Sequence, residues 1–157
     1  MANKRIGSMP AHTTVVERID SAKQLVPGDS GKLFLCYAKT ALAAYVINLP
    51  KLTEDIAGWQ AKFLIVTLES AIVGKGAISI LAYGMTAADT PSDAADKNTV
   101  YGVDISATTA LISGKDGTQF AAAKAHAPSI MEWHTDGTTW FVHTQSSTDT
   151  DLVTVGS

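Results

Sequence analysis

The chain has one cysteine in 157 residues, Cys36, which excludes an intrachain disulfide and any cysteine-based zinc cluster. Cys36 lies in the apolar run Leu33-Phe-Leu-Cys-Tyr37 and reads as a small buried hydrophobe rather than a reactive thiol. Charge is scarce as well: 17% of residues are charged, the net charge is −3, and Lys and Arg are spread along the chain. A protein that tracks nucleic-acid phosphates needs clustered cations, so no nucleic-acid partner is expected. Long apolar runs are missing. The longest, Ala41 to Leu49, is interrupted by Asn48 and closed by Pro50, far short of the ~20 residues of a membrane helix. No membrane partner is expected. The opening residues Met-Ala-Asn-Lys-Arg-Ile-Gly-Ser have no apolar segment behind their charges, which reads as a soluble product made in the cytoplasm without export.

Reactive constellations are missing too. There is no Gly-x-Ser-x-Gly elbow and no phosphate-cradling Gly-x-x-x-x-Gly-Lys-[Ser/Thr]. Asp89, Asp93 and Asp96 lack the alternating ligand pattern of a calcium loop and read as a solvated acidic stretch. Glu69 and Glu132 carry no special weight as a glycosidic pair. Of the four histidines, His12, His126, His134 and His143, the last two share one hairpin. If Asp136-Gly137 is a two-residue loop, His143 faces Ile130, and at ~3.3 Å per residue His134 is then about 13 Å away. One tetrahedral ion cannot bridge that gap. The reading is of no enzyme, no cofactor and no metal.

What the chain does contain is short β-patterned segments. Ser129 to His143 places two runs of aromatic and β-branched residues around Asp136-Gly137, the dipeptide suited to a tight turn. A two-residue loop sets Trp133 opposite Trp140 and Met131 opposite Val142, with Glu132, His134 and His143 on the other face. Further strands are expected at 13–19, 33–37, 45–49, 60–69, 77–83 and 99–105, with short ones at 109–112, 118–122 and 152–155. The segment 121–126 reads as strand or helix. Gly74-Lys-Gly76 is expected to turn 60–69 and 77–83 into a second hairpin, and Gly102 to mark a bulge or a close backbone approach. Leu52 to Ala57 reads as one helical turn from Thr53, ended by Gly58. Residues 85–98 read as a surface loop. No fixed period indicates a solenoid.

The fold class expected is all-β: an antiparallel β-sandwich or barrel of about eight short strands with an extended N-terminal arm. The divisions are a flexible arm at 1–12, a β-domain at 13–145 and a tail at 146–157. Trp133, Trp140 and Trp59 read as core or subunit-interface aromatics, the choice against a sugar-stacking role being less settled for Trp59, after Gly58, than for the other two.

The order Pro27-Gly-Asp-Ser-Gly-Lys32, Val46-Ile-Asn-Leu-Pro50, Gly58-Trp59, Lys62-Phe-Leu-Ile-Val66 and Asp136-Gly-Thr-Thr-Trp-Phe-Val142 resembles β-rich virion proteins of tailed bacteriophages. The nearest likeness is to capsid decoration (cement) proteins of marine and cyanobacterial phages. It departs from them in Asn48-Leu-Pro, where Thr-Leu-Pro is usual, and in the Ala/Asp-rich stretch 85–98. The resemblance implies a homotrimer on the outer surface of the virion capsid, clamping neighbouring major capsid protein subunits. An arm carrying Lys4, Arg5, Ile6 and Met9 would then bind the capsid by adding a strand to an open edge. The alternative is a tail or fibre module that binds a host glycan through Trp59 and exposed tyrosines.

Overall fold

The computed structural model describes residues 14–37, 44–66, 77–85, 99–104, 110–115, 117–120, 129–145 and 152–155. Within them are twelve strands and no α-helix. In chain order these are β1 (Val16–Ile19), β2 (Lys23–Gln24), β3 (Leu33–Cys36), β4 (Tyr45–Asn48), β5 (Gln60–Ile65) and β6 (Ile78–Leu81). They continue as β7 (Val100–Asp104), β8 (Ala110–Lys115), β9 (Gly117–Phe120), β10 (Ile130–Thr135), β11 (Trp140–Gln145) and β12 (Leu152–Val155).

The strands form two sheets, one of seven in the order β1-β3-β5-β10-β11-β7-β8 and one of five in the order β12-β9-β6-β4-β2. Both are mixed. β1–β3, β3–β5 and β11–β7 are parallel in the first, β2–β4 and β4–β6 in the second. The expectation of purely antiparallel pairing is therefore corrected. From β1 to β6 the chain enters the two sheets alternately, so each odd strand pairs with the previous odd one and each even strand with the previous even one. A parallel pair needs a long crossover, commonly a helix. Here a strand of the opposite sheet takes that place. Val16 pairs with Leu33 and Leu33 with Lys62, offsets of 17 and 29 residues. Winding with such unequal turns leaves no constant period in the sequence.

One expected pairing changes accordingly. β5 and β6 lie in different sheets and are not a hairpin; β8 and β9 also lie in different sheets. The closing hairpin does form, but with a longer loop. The carboxylate of Asp136 accepts the N–H groups of Thr138 and Thr139, each at 2.8 Å, and Gly137 takes a φ of +95°. Four residues, 136–139, lie between the strands, so Thr135 faces Trp140, Trp133 faces Val142 and Glu132 faces His143. The slip is two residues. It keeps every side chain on its expected face, because the side-chain period along a strand is two.

One core lies between the sheets. Trp133, Trp140, Phe34, Phe63 and Ile65 come from the larger sheet, and Ile47, Ile78 and Ile80 from the smaller. Burial of each such side chain contributes about 1.5–3 kcal/mol. Tyr45 of β4 ties the sheets together: its hydroxyl reaches the carbonyl oxygens of Tyr37 (3.1 Å) and Ile19 (3.3 Å). Gly102 in β7 sits at a register shift, and a Cβ there would come within 1.8 Å of the Val142 carbonyl oxygen. Both readings offered for Gly102 hold. The 3-10 turn Glu54–Ile56 follows Thr53, and Gly58 after it has φ +84°.

Candidate binding face

The outward surface of the seven-stranded sheet follows from register. Side chains alternate along each strand, so partners in register form rows across the sheet. Arg18, Leu35, Leu64, Ile130 and Gln145 make one end row. Val16, Leu33, Lys62, Glu132, His143 and Val103 make the middle row. Gln60, His134, Phe141 and Tyr101 make the other end row.

The three rows differ in chemistry. The first is aliphatic across three adjacent strands, with Leu35, Leu64 and Ile130 each half-buried. The middle row holds an ion pair, Lys62 Nζ to Glu132 Oε1 at 2.7 Å. That hydrogen bond from Lys62 holds the Glu132 carboxyl below its ordinary range, against the opposing effect of partial burial, and the nearby His143 and His134 act in the same direction. The third row is aromatic, with Phe141 44% and Tyr101 41% exposed and His134 exposed beside them. At its β3 end Gly31 bears no side chain. A groove of about 410 Å³ opens there, lined by Thr14, Val16, Gly31, Lys32, Leu33, Gln60, Ala61, Lys62 and His134.

The edge of the fold where β1 and β2 meet is closed by ions. Glu17 of β1 accepts from Lys23 of β2 and from Lys32 (2.9 Å), and Lys32 also reaches Asp29 at 2.5 Å. The hydrogen bonds from Lys23 and then Lys32 lower the Glu17 carboxyl below its ordinary value. Burial pushes Asp29 upward, but the Lys32 ammonium and the Val26 N–H together outweigh it and leave the group lowered. This cluster links the two sheets. It is structural, not a site.

All three tryptophans lie in the core, Trp133 and Trp140 at 0% exposure and Trp59 at 3%. Trp59 meets Trp140 edge-on at 5.3 Å between centroids, and Trp133 meets Trp140 at 6.3 Å. The core reading holds for all three, and the alternative use of Trp59 against a glycan is corrected. The chain after Gly58 turns the indole inward beside Trp140, so it has no free face for a sugar. The indole N–H groups of all three find no hydrogen-bond acceptor among the described residues.

The shifted hairpin register also corrects the histidine geometry. His134 faces Phe141, so His143 is its diagonal neighbour, about 7–8 Å away rather than 13. Among the described residues, no group of three or more His, Cys, Asp or Glu side chains is placed to hold a metal ion. No helix among them is long and apolar enough to cross a membrane. Lys4, Arg5, Ile6, Met9, His12, Glu69, Asp89, Asp93, Asp96 and His126 lie outside the described residues, as do Gly74-Lys-Gly76, the stretch 86–98 and the segment 121–126.

Sequence reasoning missed the outward rows. Their members are scattered over six strands, and only the register of the mixed sheet, parallel and antiparallel, brings them together. Comparison of the chain with protein-family models, with curated proteins and with solved structures finds no significant match.

Proposed function

We propose that this chain is a structural virion protein, a capsid decoration (cement) protein on the outer surface of a tailed-bacteriophage head. It binds neighbouring major capsid protein subunits and holds them together by non-covalent contacts, as a homotrimer and with no catalytic step. The observation that carries this reading is the aliphatic row Leu35, Leu64, Ile130, extended by the half-buried Leu33 and by Val16 at 54% exposure. A solvated sheet face is normally polar, and contiguous outward aliphatics mark a surface that another protein covers. The motif order of the sequence, which resembles that of decoration proteins, suggests the kind of partner.

Two further features support the reading. β1 is an edge strand with Val16 exposed, and residues 1–12 precede it in the sequence. A segment joined to an edge strand suits strand addition between neighbours. Many copies on one shell convert modest contacts into firm retention. The test is occupancy on purified heads. Removal of residues 1–12, or Leu64→Lys on the outward face, is expected to lower occupancy while the domain stays folded. Full occupancy by both variants would contradict the proposal.

A further inference from the structure

We infer that the row Gln60, His134, Phe141, Tyr101, with the groove at its Gly31 end, is a binding strip for a neutral oligosaccharide. The row contains none of Leu35, Leu64 and Ile130, though the groove shares Val16 and Leu33 with the surface proposed to meet the capsid. The inference does not rest on the virion reading.

Three ring side chains on consecutive strands β10, β11 and β7 are in register, His134 with Phe141 and Phe141 with Tyr101. Strands lie ~4.8 Å apart, so from Gln60 to Tyr101 the row spans about 14 Å. Isolated exposed aromatics are ordinary, but here two exposed rings and an exposed imidazole lie on adjacent strands in register. Such rings can stack on the apolar C–H face of a pyranose. Along the same row, the Gln60 amide offers both donor and acceptor, and the His134 ring nitrogens add hydrogen-bonding groups. Apolar faces interleaved with such groups match a ligand that alternates C–H faces and hydroxyls.

Charge and topology separate this class from two others. Lys62 and Glu132 of the adjoining row neutralise each other at 2.7 Å, and Lys32, which lines the groove, is paired with Glu17 and Asp29. A single-stranded nucleic acid would need uncompensated cations along its backbone. A peptide bound by strand addition would need an open edge, whereas β5, β10, β11 and β7 are each paired on both sides. The groove beside Gln60 gives a chain of sugars room to continue past the last ring.

The test is titration of the full chain with hexaoses of glucose, mannose, galactose and N-acetylglucosamine, followed by calorimetry and by backbone amide shifts. At least one hexaose is expected to bind, with shifts centred on Gln60, His134, Phe141 and Tyr101. Phe141→Ala and Tyr101→Ala are each expected to weaken binding about tenfold. Both side chains are substantially exposed, so unchanged circular dichroism is expected to show that the variants stay folded. Leu64→Lys should leave saccharide binding intact, which separates this proposal from the capsid reading. Failure of all four hexaoses to bind, unchanged affinity in both alanine variants, or binding of oligo(dT) in place of sugars would overturn it.

Discussion

Trp140 of β11 meets Trp59 edge to face, with ring centroids 5.3 Å apart and planes at 85°. The contact joins the closing hairpin to the segment that leads into β5. Trp140→Ala removes it and leaves a large cavity, at an expected cost of about 3–5 kcal/mol. For a chain of this size that is a fall in Tm of roughly 10 °C. Trp59→Phe keeps an aromatic edge and deletes a buried N–H that has no acceptor among the described residues, so its cost should be clearly smaller. Urea unfolding of the two variants checks the order.

Gly102 supplies a second test. Any β-carbon there would strike the Val142 carbonyl oxygen, a backbone atom with no rotamer to escape into. Gly102→Ala is therefore expected to force β7 from β11 and to cost at least about 3 kcal/mol. Val103→Ala, on the half-buried outward side of the same strand, should cost about 1 kcal/mol or less. Equal effects in thermal unfolding would contradict the close approach.

The ion cluster at the β1–β2 edge predicts the acid limb of stability. Glu17 and Asp29 have folded-state values below their ordinary 4.5 and 3.8. Their contribution is complete above those values and disappears as pH falls through the lower folded ones. Lys32→Met removes the cation common to both. The variant should lose stability at neutral pH, and its Tm should fall less steeply than the parent's from about pH 5 to about pH 2. Parallel curves would exclude the cluster as the acid-sensitive element.

Cys36 is fully buried, and burial pushes its thiol up to about 12. Thiolate is the reactive form, so the native chain should not react with Ellman's reagent at neutral pH. One equivalent should appear on adding guanidinium. Stoichiometric labelling without denaturant would show that the core at β3 opens readily.

Much of the local structure is legible in the residues themselves. Alternation in 129–145 and the Asp136-Gly137 dipeptide identify the closing hairpin and its buried face. The register escaped because the Asp136 carboxylate captures two amides beyond the expected turn, a choice that pairing preferences alone do not reveal. Which sheet a segment joins is less legible still. Gln60–Ile65 and Ile78–Leu81 read equally well as a hairpin or as members of opposite sheets, since alternation reports the face a residue occupies and not its partner strand. β2 is only Lys23–Gln24, too short to leave a pattern. The outward rows inherit this difficulty: Phe141 and Tyr101 are forty residues apart and meet only through a parallel pair.

The outward aliphatic row makes its own prediction. Because Leu35, Leu64 and Ile130 are half-buried and adjacent, Leu64→Lys should raise solubility with little loss of stability, within about 1 kcal/mol. Sedimentation of parent and variant at rising concentration checks whether the same row also drives self-association. A homotrimer that survives the substitution would assign trimer contacts to another surface.

The proposed binding to the outside of a capsid is measured most directly by mixing the purified chain with tailed-phage heads that carry no decoration protein. After sedimentation the heads are imaged. The account predicts co-sedimentation at a saturable, fixed stoichiometry, with added density on the outer surface at symmetry-related positions. A chain that stays in the supernatant at every concentration, with bare heads in the images, would contradict it.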